Sequence, residues 1–431
     1  MNVERLTAIK ELTHSYLNYK EERISLIASE NRSSDLLLSS YLLGLCDQYC
    51  SRLPSERYGI DNLAFGNIDP LDNINDYTRN LVNEMFGSAD CDIRLLSGLN
   101  GFTVLLFALL NEGDTLFKMH DLHGGHLSVK PIAKRLNINI YEMRLGNNYT
   151  LDLNDFETSY NAIKPRVIFL DSSYSLFPYP LKEIRQIIDK NTVLVYDASH
   201  VIALIAGKQY QDPFAEGADI VHSTTHKTMW GPQKSMILLK DRTTLVPKVH
   251  DIVKNVLVSN THLHHIFGLL IALVELQEFG VEYAKALIEN NKYFAECLDR
   301  AGFKVLGRNY GYTETNQFWI NCDTKKQAIE VFKKLQDINI SSNMIFLPGD
   351  LWGLRIGTND LTRSGANKNT FEILSSIMAD AIYGKDSNES LKARCSELKS
   401  GLRSTSFSFD HTEVGNELIN LFTNKIGRTV L

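Results

Sequence analysis

A lysine stands in Ser223-Thr224-Thr225-His226-Lys227-Thr228, and thirty residues upstream an aspartate stands in Val193-Leu194-Val195-Tyr196-Asp197-Ala198-Ser199-His200. Each closes a β-branched, apolar run that turns abruptly polar. Such a run reads as a buried parallel strand, and ligands bind where such strands end. A strand-end lysine can form a Schiff base with a carbonyl cofactor, and a strand-end aspartate can keep a pyridine nitrogen protonated. The two together are what pyridoxal phosphate asks of a protein. Taken singly, the lysine reads as a surface charge and the aspartate as a helix cap. His226 before the lysine and the Gly231-Pro232 turn after it set this site apart from a solvated face.

Two histidine-rich stretches invite a metal reading. His120, His123 and His126 surround Gly124-Gly125 in a spacing that suits a loop, but no carboxylate or cysteine completes a ligand set, so no metal is expected. His262, His264 and His265 come just before a core helix, where packing or interface contacts are the expectation. Ser97-Gly98 precedes another helix, whose first amides could cradle a phosphate, with Asn100 or Gly101 as a further donor.

These residues need a scaffold. Short apolar runs recur at Thr115–Met119, Ile138–Tyr141, Val167–Leu170, Val193–Tyr196, Ile220–Ser223 and Met236–Leu239, with helix-compatible segments between most of them. That alternation predicts an α/β domain with a mainly parallel sheet and right-handed crossovers. Residues 1–30, with Leu6, Ile9, Leu12 and Tyr16 on one helical stripe, read as an arm, and 31–280 as the large domain. Ile266–Phe279 and Val281–Ala301 read as helices leading into a smaller α+β domain, 281–431. Its strands are expected at Phe303–Leu306, Phe318–Asn321, Ile338–Ser341 and Leu354–Ile356, and its helices at Lys325–Leu335 and Asn369–Tyr383. Residues 384–389 read as a polar linker before a C-terminal tail.

The 431 residues suffice for two domains, and 44% hydrophobic with 22% charged residues fits a water-soluble globular chain. A net charge of −6 and the lack of any Lys/Arg block offer no face for nucleic acid. Cys46, Cys50, Cys91, Cys297, Cys322 and Cys395 are scattered without a CxxC, which argues against zinc or disulfides and fits a reducing cytoplasm. The apolar stretches around Phe102–Leu110 and Ile266–Val274 are too short for a membrane span, and Met1-Asn2-Val3-Glu4-Arg5 begins no signal peptide.

In chain order, Leu26-Ile27-Ala28-Ser29-Glu30-Asn31, His123-Gly124-Gly125-His126-Leu127, Asp197-Ala198-Ser199-His200, Thr224-Thr225-His226-Lys227-Thr228 and Arg355-Ile356-Gly357-Thr358 resemble the motifs of the serine hydroxymethyltransferase family. The resemblance runs from about Leu26 to Ala379 and implies fold type I of the pyridoxal-phosphate enzymes, the aspartate-aminotransferase-like architecture. It also implies roles. Lys227 would hold the cofactor and exchange it for the substrate amine. Asp197 would pair with the pyridinium nitrogen. His123 would stack on the ring, and His200 and Ser172 would approach its phenolic oxygen. Ser97, Gly98 and Thr224 would join the cofactor site, although the family follows Gly98 with a serine and this chain has Leu99. Arg355, helped by Ser29, would clamp the substrate carboxylate in a bidentate fork. Tyr58 would join the substrate site. Tyr49 would reach in from the neighbouring subunit, so the catalytic unit would be a homodimer.

The departures from the family bear on function. Folate-dependent members carry Tyr-x-Glu before Pro-Gly-x-Arg-Tyr-Tyr-Gly; this chain reads Tyr49-Cys50-Ser51-Arg52-Leu53-Pro54-Ser55-Glu56-Arg57-Tyr58-Gly59. The glutamate has become Ser51, which cannot serve as a carboxylic acid/base near neutrality. The segment Asn343–Asp350 is shortened, and Val258-Ser259-Asn260-Thr261-His262 stands where the family has a Gly-rich turn. The amino-acid half of the site is kept while the folate half is not, so tetrahydrofolate is not expected.

That combination resembles the L-threonine transaldolases of natural-product pathways, as do Gly231-Pro232-Gln233-Lys234, Gly311–Gln317 and Ser406-Phe407-Ser408-Phe409-Asp410. The implied reaction is retro-aldol cleavage of threonine to acetaldehyde and a glycine quinonoid, then addition to a second aldehyde to give a β-hydroxy-α-amino acid. His226, His123 or a water would be the base on the β-hydroxyl. A folate-dependent serine or α-methylserine hydroxymethyltransferase is the alternative. A non-catalytic interaction protein is another, against which Lys227, Asp197, His123 and Arg355 together argue.

Overall fold

The apolar runs pair into one sheet. The computed structural model describes residues 3–50, 65–171, 173–349 and 351–429. Its large sheet has seven strands: β1 (Asp90–Asp92), β2 (Thr115–Met119), β3 (Asn139–Met143), β4 (Val167–Leu170), β5 (Val193–Asp197), β6 (Ile220–Thr224) and β7 (Ser235–Leu239). Their spatial order is β1-β7-β6-β5-β4-β2-β3. The pairings β2–β3, β2–β4, β4–β5 and β5–β6 are parallel, and β7 runs antiparallel to both β6 and β1. This is the α/β architecture with a mainly parallel sheet that the alternation predicts, and it is in keeping with the fold type I that the resemblance implies. Strands β4, β6 and β7 are buried at every position, as expected of strands covered on both faces. Sequence patterning misses β1 because Asp-Cys-Asp carries no apolar run.

The chain divides into two compact units, Asn31–Ala286 with Phe407–Leu431 and Met1–Glu30 with Leu287–Ser406. The sequence reading placed the whole C-terminal tail in the small domain; from Phe407 onward it belongs to the large unit instead. The reason is local. Both oxygens of Asp410 accept hydrogen bonds at 3.0 Å, from the N–H groups of Asp35 and Leu36, at the start of helix Asp35–Ser40. A helix N-terminus leaves such amides open, and a carboxylate satisfies two at once. The segment read as two helices around Gly280 is one, Leu263–Arg300, and the unit division falls within it. Gly280 is no breaker: a Cβ on Gly207 would stand 2.3 Å from the Gly280 carbonyl oxygen, so the loop rests directly on the helix backbone.

In the small unit, β8 (Lys304–Val305), β9 (Gln317–Asn321), β10 (Asn343–Leu347) and β11 (Leu351–Gly357) form an antiparallel sheet in the order β10-β11-β9-β8. Strand β10 was unforeseen. Ile24–Ser25 pairs in parallel with Ile340–Ser341. The polar stretch read as a linker ends at Asn388, where a helix runs to Ser400. Among the described residues no helix is long and apolar enough to cross a membrane.

One polar cluster sits inside the large unit. Lys118 on β2 is fully buried; its Nζ donates to the Met119 carbonyl and to Asp121 Oδ1 at 3.0 Å, and lies 3.4 Å from Asp171 Oδ2. Asp171 accepts the N–H groups of Met119 at 3.0 Å and His126 at 2.9 Å. Burial pushes its carboxyl up to about 7, against the pull of Lys118 and these amides. The cluster fixes both ends of the loop that carries His123. Asp171→Ala takes away the buried partner of Lys118, leaves the partly exposed Asp121 alone to balance it, and strips the Met119 and His126 N–H groups of their acceptor, so it should lower unfolding free energy by about 3–5 kcal/mol at pH 8. Guanidinium unfolding of the two chains measures this, and an unchanged midpoint would reject the cluster as an anchor.

Candidate active site

The carboxyl ends of β5 and β6 bring the chemistry together. Asp197 ends β5, and its Cα partner in β6 is His222. Asp197 is enclosed, and Oδ1 receives three groups: Ser199 N–H at 3.1 Å, Ser199 Oγ–H at 2.6 Å and His222 Nδ1 at 3.1 Å. Burial pushes this carboxyl up, but the His222 bond and the charges of His222 and Lys227, then Ser199, hold it below the usual carboxylate range. It is a carboxylate at neutral pH, as a partner for a pyridinium nitrogen must be. Oδ2 accepts no hydrogen bond among the described residues. His222 is missing from the sequence reading. Its only signal is a histidine inside a β-branched run.

Next to this pair lies a cradle. Ser97 caps helix Gly98–Leu109 by accepting Asn100 N–H on Oγ at 3.1 Å, and its carbonyl accepts Gly101 N–H at 3.0 Å. The Asn100 side chain accepts Leu96 N–H. Asn100 and Gly101 are therefore engaged within the turn, and among the described residues the amides of Gly98 and Leu99 are left open. Gly98 is tight against the end of β6: a Cβ there would stand 2.7 Å from Thr224 Cγ2. Thr224 Oγ1 is buried and has no partner among the described residues. Open amides at a helix start beside an unsatisfied hydroxyl suit a phosphate.

Lys227 sits in a tight loop after β6. Gly231 N–H bonds back to the Thr225 carbonyl at 2.7 Å, and Thr225 Oγ1 donates to the Pro232 carbonyl at 2.6 Å. Trp230, fully buried, takes φ +54°, a left-handed conformation that costs a bulky residue energy. Asn31 holds this loop: its Nδ2 donates to the carbonyls of Lys227 at 2.8 Å and Thr228 at 3.2 Å. Ser33 Oγ donates to the Trp230 carbonyl at 3.0 Å. His226 Nδ1 is buried without a partner among the described residues, and burial beside Lys227 pushes the ring down to about 4, so it is neutral.

The remaining residues fall in three groups. His200 is buried in the loop after β5. His123 lies in the Lys118–Asp171 loop, where Nδ1 accepts Leu145 N–H at 3.1 Å, which leaves the proton of the neutral ring on Nε2. His120 and His126 likewise accept backbone N–H groups on Nδ1. Tyr49 is 60% exposed, its ring tilted against that of Phe65. Arg355 and Ser29 belong to the small unit. Arg355 is buried on β11, and Gly357 N–H bonds the Leu26 carbonyl at 2.9 Å, which lays the Ser29 turn beside that strand. Asn316 and Asn359 both donate to the Ala28 carbonyl at 2.8 Å, and Asn359 also to the Glu30 carbonyl at 3.1 Å. Ser51, Tyr58 and Ser172 lie outside the described residues.

Comparison with known proteins agrees with this arrangement. The family model described as serine hydroxymethyltransferase matches residues 4–378. The chain is 32% identical over 415 residues to the serine hydroxymethyltransferase of Archaeoglobus fulgidus, covering 94% of this chain and 93% of that one. Against that of Thermococcus kodakarensis it is 30% identical over 409 residues, 91% of this chain and 94% of the other. A crystal structure of the L-threonine transaldolase from Pseudomonas fluorescens, in its internal aldimine state, superposes with a TM-score of 0.90 at 27% identity, covering 97% of this chain and 99% of that one. The open Asp197 oxygen and the cradle at Gly98 and Thr224 fit the cofactor of this family, whose two ends are a pyridine nitrogen and a phosphate. With matching sequence and fold, the chain belongs to the serine hydroxymethyltransferase family and is a pyridoxal-phosphate-dependent enzyme.

Proposed function

We propose that this enzyme is an L-threonine transaldolase. It breaks the Cα–Cβ bond of threonine, releases acetaldehyde, and joins the remaining glycine unit to a second aldehyde as a β-hydroxy-α-amino acid. Ser51 carries this reading. One-carbon transfer from folate calls for a carboxylic acid/base, and a serine at that position cannot supply it. Threonine cleavage has no such need, because acetaldehyde leaves as a stable molecule. The likeness to the Pseudomonas fluorescens transaldolase supports the same choice. The identity with archaeal serine hydroxymethyltransferases favours the second reading, hydroxymethyl transfer with tetrahydrofolate.

Bound pyridoxal phosphate supplies an electron sink for the pair released at Cα. The chain does the rest. Lys227 holds the cofactor and gives way to the substrate amine. Asp197 pairs with the ring nitrogen through its open oxygen. Thr224 and the amides of Gly98 and Leu99 take the phosphate, and His200, Ser172 and Ser97 complete the cofactor site. His123 lies over the ring. Arg355, helped by Ser29, holds the amino acid by its carboxylate, and Tyr58 joins the substrate site. His226 takes the β-hydroxyl proton: its Nδ1 is open and its ring is neutral, whereas His123 spends Nδ1 on Leu145.

The working unit is a homodimer in which Tyr49 serves the neighbouring site. Helix Val3–Glu22 supports this, since it is exposed along its length and shows Leu6, Ile9, Leu12 and Tyr16 to solvent in the single chain. A second copy would cover such a stripe. Six free cysteines support a reducing cytoplasm. A natural-product pathway would supply the acceptor aldehyde.

The deciding measurement is acetaldehyde release from L-threonine with and without an aldehyde panel, beside serine turnover with tetrahydrofolate. Threonine should be cleaved alone, the added aldehyde should be consumed, and tetrahydrofolate should alter neither rate. Faster serine turnover would hand the assignment to the hydroxymethyltransferase reading. Arg355→Ala removes a charge-assisted pair worth about 2–5 kcal/mol in a buried site, so spectral titration should show threonine binding at least about tenfold weaker; an unchanged titration would remove Arg355 from the site. Mixing Tyr49→Phe with Lys227→Ala chains should restore activity through hybrid dimers. Absence of rescue where subunits exchange would exclude a shared site.

A further inference from the structure

His222 is a fully buried imidazole inside the large sheet, on a strand parallel to β5 on one side and antiparallel to β7 on the other. Burying a polar ring costs free energy unless its contacts return it. One side of the ring makes such a contact. Nδ1 lies 3.1 Å from Asp197 Oδ1, and because it faces a carboxylate oxygen it carries the proton. The other side is sealed. Nε2 is buried with no partner among the described residues, and its wall is Gly101, where a Cβ would stand 2.4 Å from Nε2 and 2.9 Å from Ser235 Oγ. That hydroxyl is committed to the Ser97 carbonyl at 2.7 Å. The Phe102 ring closes the remaining side, with centroids 4.5 Å apart. The fold therefore gives up a side chain at Gly101 to admit a ring whose one hydrogen-bond partner among the described residues is Asp197.

The contact selects between two oxygens. Ser199 also donates twice to Oδ1, and its hydroxyl is itself fixed by Thr224 N–H at 2.9 Å. Three donors on one oxygen leave the other free. Lys227 and His126 are the further titratable groups that act on this pair from the neighbouring loops.

We propose that His222 is a positioning residue for the cofactor: by donating Nδ1–H to Oδ1 it fixes the Asp197 carboxylate so that Oδ2 meets the pyridine nitrogen. This rests on the reading of Asp197 as the partner of that nitrogen and deepens it. The register of β5 and β6 places the donor, so the orientation is built into the sheet rather than into a loop.

The test is the dissociation constant of pyridoxal phosphate, measured by equilibrium dialysis of the full chain. Loss of a hydrogen bond to a buried charge should make His222→Leu bind the cofactor about tenfold more weakly or worse. His222→Asn, whose amide reaches the Nδ1 position, should return to within about threefold of the native chain. Asp197→Asn should bind more weakly than native, and adding His222→Leu to it should cost nothing further, because the two act as one unit. If the leucine chain does not fold, His222→Ala takes its place in the same cycle. A leucine chain that holds the cofactor as the native one does would overturn the proposal. So would a loss that the asparagine chain shares, or one that persists in the Asp197→Asn background, since either marks a packing role. If Asp197→Asn itself binds like native, the reading of Asp197 fails and the role of His222 falls with it.

Discussion

A carboxylate removed from water costs several kcal/mol unless its surroundings replace the lost hydration. Asp197 is such a group, and much of the large unit is arranged to replace that water. Strand pairing sets His222 opposite it. The turn after β5 returns two donors from Ser199, and Thr224, two residues beyond His222 on β6, anchors Ser199 in turn. Two glycines follow from the same demand. Gly101 makes room for His222, and Gly98 lets the helix start approach Thr224. Substituting either would push the helix Gly98–Leu109 off the strand ends, and with it the open amides beside them.

Backbone carbonyls near the reactive residues are held by amide side chains rather than by regular pairing. Asn31 takes the carbonyls of Lys227 and Thr228, and Asn316 and Asn359 share that of Ala28. An asparagine offers two donors on a short, stiff stem, so one residue can pin a turn that has no strand beside it. The strained φ of Trp230 shows why such pins are needed. A loop in that conformation persists only where its surroundings over-determine it.

The fold was legible in the sequence because apolar runs of strand length alternate with helical segments, and because lysine and aspartate stand where those runs stop. What escaped depends on contacts between distant residues. His222 looks like an interruption of a strand until its neighbour across the sheet is known. Asn31 and Asn316 stand in stretches that carry the resemblance, yet nothing local tells which carbonyls they hold, and Asn359 has no local pattern at all. Gly280 reads as a helix breaker, yet it is the place where another backbone comes close. Strand β1 has no hydrophobic signal, since its burial follows from sitting beside β7. Asn100 and Gly101 were reasonable phosphate donors by spacing, but the cap at Ser97 uses them first. Ser51 remains a sequence argument throughout.

The bond between Asp410 and the helix at Asp35 has a consequence for how the protein is made. The large unit is interrupted: it begins at Asn31, leaves off at Ala286, and resumes at Phe407. On a ribosome, which delivers the chain from its N-terminus, the intervening 120 residues of the small unit emerge before the last segment of the large one. Helix Asp35–Ser40 is thus made early, with the Ser34 hydroxyl as its local cap, and its Asp35 and Leu36 amides must wait for Asp410. Vectorial synthesis cannot finish the large unit first. A nascent chain stalled before Asp410 would leave the Asp35 and Leu36 amides open, with the Ser34 hydroxyl alone capping the helix, however well the sheet behind it had formed.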